Sequence, residues 1–248
     1  MSNIRAVGDA DNREAWLEQR KSYLTASSIY AWRGIDHASP SKKWYFEDNN
    51  REAIIQEKFH DFEKEFPPYA QRSMAAGTFD EVHIMQKLGA MLDMRVEPTN
   101  KMFVNKRWPH IAATIDGFLH CNQPLPPDNE PYTPPMFCQD PEYIRNLTAE
   151  LDSGPGTVIC EIKKSISVEW SRGVVPEYYI PQVQTQLAVL EMDRAVICAE
   201  CVFSDPKEKW RKYWDLRPTI IERDPAWAHV LDECNSDFLT ELTNYGIV

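Results

Sequence analysis

Glu161 and Lys163 stand two residues apart in GTVICEIKKS, residues 156 to 165, just after an apolar run. In a strand, residues i and i+2 share a face and lie about 6–7 Å apart along the chain. The carboxylate and the ammonium therefore point one way, while Val158, Cys160 and Ile162 point the other. Such a pair forms either a structural ion bridge or a reaction centre. The spacing recurs only at Asp205-Pro206-Lys207, where the proline sets it in a turn-like stretch.

Two more acids occupy positions that invite chemistry. Glu81 lies on the apolar stripe that Ile84, Met85 and Leu88 make at +3, +4 and +7. A carboxylate there is paired, protonated or metal-bound, or it rides the edge of the core, because a bare buried charge costs several kcal/mol. Asp116 precedes Gly117 between two apolar runs. That dipeptide reads as a hairpin turn, or else as a strand-end carboxylate with a glycine that lets the chain swing away. Two acids from neighbouring strands, a third from a helix and one lysine make an oxygen-rich site for Mg2+. Such a site polarises a phosphate oxygen and activates water, and the lysine orients that water or meets charge in the transition state.

Polar residues flank this set. In YYIPQVQTQLAVLEMD, Val183, Leu187 and Leu190 form a buried stripe, and Gln182 and Gln186 share a neighbouring face that can line the site. In RKSYLTASSIYAW, Thr25, Ser27 and Ser28 crowd a helix start. Hydroxyls there either cap the helix or bind an anion. Arg20, one turn earlier, carries a fork that matches phosphate oxygens.

The elements that must hold these residues read as α/β, a central mixed sheet flanked by helices. Residues 12–34 predict a helix, a break near Tyr23-Leu24, and a short second helix closed before Gly34. A charged helix is expected over 42–66, ended by prolines 67 and 68, and another from about Thr78 to Leu88, with Gly89 as its stop. Strands follow at 101–105 and 110–115, with a return strand from Phe118. Further strands are expected at 157–163, 194–203 and 210–221, with helices from Pro181 to about Met192 and from Pro225 onward. Residues 122–157 hold eight of the 18 prolines and read as an irregular acidic insertion within a single domain spanning 1–248.

Composition narrows the class. At 248 residues with 43% hydrophobic side chains, the chain supports one sizeable core. No apolar run is long enough for a membrane span, the first residues lack a secretory signal's apolar core, and a reducing compartment is expected. The six cysteines read as buried thiols, Cys198 and Cys201 facing opposite sides of one strand. A net charge of −11 argues against indiscriminate nucleic-acid binding. Basic residues nonetheless gather in groups (Arg20, Lys21, Arg33, Lys42 and Lys43; Lys101, Lys106 and Arg107; Lys163, Lys164 and Arg172) that leave room for a local positive groove.

Taken in order, these pieces resemble the phage lambda exonuclease and YqaJ-type viral recombinase family, a branch of the PD-(D/E)XK nucleases with a restriction-endonuclease-like core. The matching motifs are W-x-x-x-R-x-x-x-x-T-A-S at 16–27, G-x-x-x-E at 77–81, IDG at 115–117, E-I-K at 161–163, Q-V-Q at 182–184 and IERD at 221–224. The resemblance implies that Asp116 and Glu161 bind Mg2+, for which Mn2+ can substitute, with Glu81 close by. It makes Lys163 the residue that activates or orients the attacking water, beside Gln182, and gives Arg20 and Ser27 the 5′-phosphate of a DNA end. It further implies digestion of one strand of duplex DNA from the 5′ end, a ring of three copies, a single-strand annealing protein as partner, and a phage-borne protein working in the bacterial cytoplasm.

Three departures stand out. Ile115 replaces the family's proline, Lys164 takes a position where cysteine is common and adds positive charge near the DNA, and the interval from Asp116 to Glu161 is far longer than a hairpin needs. An endonuclease on the same core, or a DNA-end or protein-binding module without catalysis, are the alternatives.

Overall fold

Asp116-Gly117 does not close a hairpin. In the computed structural model, which describes residues 3–9, 13–34, 50–60, 68–123, 141–165, 170, 173–204 and 212–247, this dipeptide carries the chain from one sheet into another. The first sheet contains β1 (Ile4–Asp9), β2 (Leu24–Thr25), β4 (Lys101–Asn105) and β5 (Trp108–Thr114), in the order β1-β4-β5-β2. The second contains β3 (Arg95–Pro98), β6 (Gly117–His120), β7 (Val158–Ser165), β8 (Arg194–Ser204) and β9 (Lys212–Glu222), in the order β3-β6-β7-β8-β9. Both are mixed: β2 runs parallel to β5 and β7 parallel to β8, and the other pairs are antiparallel. The single central sheet expected from the sequence is thus two sheets, and the α/β class with flanking helices stands.

Gly117 is required at the crossing. A Cβ there would fall 2.6 Å from the Glu97 carbonyl and 2.8 Å from Met85 Sδ, so only glycine lets β6 lie this close to β3 and the helix above it. That helix, α4 (Pro68–Leu92), is longer than its expected 78–88 span. Pro68 opens it, which suits a first-turn position where the missing N–H costs nothing. Its end falls not at Gly89 but at Asp93, whose φ of 52° turns the chain left-handed, while Met94 N–H bonds back to the Gly89 carbonyl at 3.0 Å.

The N-terminal helix α1 (Arg13–Lys21) runs into β2, a 3-10 turn at Ala26–Ser28 and the short α2 (Ile29–Trp32), and Gly34 at φ 63° ends that segment. Of the charged helix expected over 42–66, α3 (Arg51–Phe59) is described. Its neighbours 35–49 and 61–67 lie outside the described residues, as do 124–140 of the insertion. The insertion is not irregular throughout, however. Residues Pro141–Asp152 form a helix, α5, with Leu147 and Leu151 buried and Pro141 at its start, again where proline is tolerated.

Parallel pairing of β7 with β8 demands a crossover, and α6 (Ile180–Val189) supplies it, led in by a 3-10 turn at Glu177–Tyr179. Every residue of α6 from Val183 to Val189 is buried. Val183 and Leu187 pack with Ile159 and Ile197 of the second sheet, and Ala188 and Val189 join a core shared with Leu24, Ile111 and Phe238. Each such aliphatic side chain contributes about 1.5–3 kcal/mol when fully buried, so α6 welds the two sheets together. The last helix, α7 (Trp227–Asn244), packs along the first sheet. The described cysteines are free and buried; Cys198 and Cys201 do face opposite cores, and Cys138 lies outside the described residues. No helix among the described residues is long and apolar enough to cross a membrane.

Candidate active site

Glu161 sits mid-strand on β7 and is 2% exposed, and the strand's period of two sets it and Lys163 on one side as expected. Val158, Cys160 and Ile162 pack on the opposite side with Met85, Leu88 and Val196. Lys163 donates to Glu161 Oε1. The same oxygen accepts from Gln182 Nε2 at 2.5 Å, and Oε2 accepts from Gln186 Nε2 at 2.6 Å. Gln186 also donates to the Thr114 carbonyl at 2.8 Å, one residue before the β5–β6 crossing. The i and i+4 glutamines of α6 thus both reach the carboxylate, and Gln186, the second of them, ties the helix to both sheets at once.

Asp116 joins from the crossing. Its Oδ2 accepts the Ile162 backbone N–H at 2.6 Å, which fixes the carboxylate beside β7. Burial and then the charge of Glu161 push Asp116 well above the usual carboxylate range, with Lys163 opposing and Glu81 adding to the rise. Glu81, half-buried on α4, is raised by burial, with Lys163 pulling it down and Glu161 pushing it up. Lys163 is lowered by burial, but Glu161, Asp116 and Glu81 outweigh that and hold it above its ordinary value. Its ammonium also lies 5.4 Å from the Tyr179 ring centroid, a stabilising cation–π distance.

The structure therefore brings Asp116, Glu161, Lys163, Gln182 and Gln186 together, with Glu81 in electrostatic reach. Among the described residues no three His, Cys, Asp or Glu side chains stand close enough to enclose a metal alone. The donor set suits a hard divalent cation all the same: two buried carboxylates repel each other across one ammonium, and oxygen ligands completed by water are what Mg2+ takes.

Tyr179 was not singled out from the sequence, since a tyrosine in a short stretch between two prolines carries no periodic signal. The third glutamine, Gln184, was anticipated as part of a motif but not for its work. It donates to the Glu222 carbonyl at 2.7 Å and accepts from Asp224 N–H at 2.8 Å, which pins IERD to α6 and explains why the two motifs travel together in this chain. Lys164 differs from its expectation. It pairs with Asp80 and lies 3.9 Å from Glu200, which also holds Lys87 at 2.9 Å, so its charge is spent on neighbouring acids.

A second cluster forms at the end of α1. Arg20 Nη2 donates to Thr25 Oγ1 at 3.4 Å and to Ser27 Oγ at 3.3 Å, and Thr25 Oγ1 lies 2.9 Å from Ser28 Oγ. The caps of the 3-10 turn and of α2 make no side-chain cap bond, so the capping alternative fails and the hydroxyls face Arg20 instead. Elsewhere Arg33 pairs with Glu233, and Arg107 with Asp232 at 2.8 Å. Lys42, Lys43 and Arg172 lie outside the described residues.

Comparison with known proteins bears on the family and the fold. A family model described as a YqaJ-like viral recombinase domain matches residues 15–193. The fold resembles the crystal structure of an alkaline exonuclease from Laribacter hongkongensis, LHK-Exo, at 18% identity and a TM-score of 0.52, covering 93% of each chain. The same exonuclease in complex with dAMP superposes at a TM-score of 0.53 with 17% identity, again over 93% of each chain. No curated protein matches the chain by sequence.

Proposed function

The chain belongs to the YqaJ-like viral recombinase domain family, and from that membership we propose that it is a metal-dependent deoxyribonuclease digesting linear duplex DNA from the 5′ end. One observation carries the reading. A buried glutamate on a strand is held by a lysine two residues on and by two glutamines of the crossover helix, with a second carboxylate beside it. A structural ion pair would need one partner; this carboxylate is positioned from three directions. The exonuclease activity named for the structural neighbour is consistent with it.

Asp116 and Glu161, with Glu81 as a further acid, would hold Mg2+ or Mn2+, whose chemistry when bound is polarisation of a phosphate oxygen and a lowered pKa for bound water. Gln182 and Gln186 fix the Glu161 rotamer, and the Ile162 N–H fixes Asp116, so neither carboxylate has to reorganise during reaction. Lys163 presents its ammonium to the attacking water and to charge developing on the phosphate. Arg20 and Ser27 receive the terminal 5′-phosphate. A ring of three copies and a strand-annealing partner belong to the same proposal.

The test is digestion of linear duplex DNA labelled separately at each 5′ and 3′ end, with Mg2+ or EDTA, for wild type and Lys163→Ala. Metal-dependent loss from 5′ ends, absent in the variant and on covalently closed circles, is the expected result. Cleavage of the circle would establish an endonuclease, and no digestion with Mg2+ or Mn2+ would leave a binding module.

A further inference from the structure

The Arg20 cluster holds more positive charge than its own residues neutralise. Lys58, on α3, is 6% exposed and donates to the Arg20 backbone carbonyl at 3.1 Å, which already accepts from Tyr23 N–H at 3.2 Å. Buried lysines are rare unless paired, yet among the described residues no carboxylate forms an ion pair with Lys58 or with Arg20. Glu57, the acid that acts on both, is exposed on α3. Two cations, one of them buried, thus meet at Arg20: its guanidinium on the hydroxyls of Thr25 and Ser27, and the Lys58 ammonium on its carbonyl.

Such an arrangement is costly to fold and is relieved by an anion. Building on the nuclease reading, we propose that Lys58 is the second cation of the Arg20 pocket, a positioning residue that suits it to a doubly charged terminal phosphate over a singly charged internal phosphodiester. Its ammonium anchors the end of α1, which aims the Arg20 fork at Thr25 and Ser27, and adds its charge to the field at the pocket. A terminal phosphomonoester carries close to two negative charges at neutral pH, matching two cations where a backbone phosphate matches one.

The charge of Lys58 is itself adjustable. Burial first, and then the Arg20 guanidinium, push it down to about 8, with Glu57 pulling it up. Arg20 on α1 and Glu57 on α3 are the charged groups acting on it, and α2, also packed against α3, carries Tyr30 but no charged residue.

The experiment compares 5′-phosphorylated with 5′-hydroxyl duplex ends, as a ratio of kcat/KM values in Mg2+ and, separately, as a ratio of affinities by fluorescence anisotropy in EDTA. The ratio cancels the chemistry common to both ends. Wild type is expected to favour the phosphorylated end at least about tenfold, the scale of one charge-assisted hydrogen bond. Lys58→Met should bring the ratio near one, Lys58→Arg should keep most of it, and the wild-type ratio should fall as pH passes about 8 while that of Lys58→Arg stays level. A ratio unchanged in a folded Lys58→Met, verified by circular dichroism, overturns the proposal. Equal losses on both end types do so too, since they mark a merely structural lysine. Phosphate preference in EDTA without digestion in Mg2+ would sink the nuclease reading and leave the pocket standing.

Discussion

The two polar clusters are opposites. Around Glu161, buried acids outnumber the single lysine, and donors from β7 and α6 lock every oxygen of that carboxylate. Around Arg20, its half-buried guanidinium faces hydroxyls on a short turn, buried Lys58 caps its carbonyl, and among the described residues no acid forms an ion pair with either. The first cluster leaves a negative remainder and the second a positive one. In a chain of net charge −11, the global sign therefore says little about where an anionic polymer is met. Two local imbalances do, one suited to a cation and the other to an anion.

The contrast can be broken most forcefully at the acidic centre. Asp116→Asn removes one of the two mutually repelling carboxylates and keeps the size of the side chain. It is expected to lower digestion on the order of 10³-fold while far-ultraviolet circular dichroism stays native. A retained rate would show that Asp116 is a structural acid.

At the basic pocket the expected effect is on stability. Lys58 titrates near 8 when folded and at its ordinary 10.5 when unfolded. Between those values the unfolded chain keeps a proton that the folded one has released, so stability from this group climbs with pH across that window. Below about 8 the full penalty of the buried charge is present. The climb amounts to about 3 kcal/mol. Chemical denaturation of wild type against Lys58→Met from pH 7 to 10.5 should find the variant more stable at pH 7, with the gap closing as pH rises. A constant gap would mean that Lys58 is not titrating in this range.

Next comes the crossing itself. Gly117→Ala sets a methyl group 2.6 Å from the Glu97 carbonyl, and backbone cannot swing aside as Met85 can. A loss of about 1–3 kcal/mol is expected, read as a lower Tm. An unchanged Tm would mean that β3 and β6 separate without cost. The smallest effect belongs to Lys164, which lies outside both clusters. Its pairing with Asp80 is partly exposed, so Lys164→Ala should cost about 0.5 kcal/mol or less, and less again in high salt.

What could be read from the sequence divides along the same contrast. Glu161, Lys163, Gln182 and Gln186 were legible because strand and helix periods place them without knowledge of the rest. Asp116 was ambiguous, since Asp-Gly between apolar runs has the same signature whether it turns a hairpin or changes sheets; only long-range pairing of β6 with β3 and β7 decides. Lys58 was invisible, because a lysine in an acidic run reads as solvated, and nothing local reports that α1 covers it. Gly89 and the prolines misled for a related reason: the approach of Met94 keeps glycine inside α4, and a proline that ends one helix can open the next, as Pro68 and Pro141 do.

The crossing at Asp116-Gly117 has a consequence for the order in which the protein becomes competent. As the chain leaves the ribosome, Arg20, Ser27 and Lys58 emerge before the first sheet is finished, but Leu24, Ala26 and Ile29 beside them still await Ala188, Val189 and Phe238 of the last two helices. Asp116 emerges next, 46 residues ahead of the Ile162 N–H that will hold it, and Gln186 arrives later still. The two clusters therefore come together late, when α6 closes on both sheets. A chain that stops short of α6 carries Arg20, Lys58, Asp116 and Glu161 but leaves both clusters without the helix that packs against them.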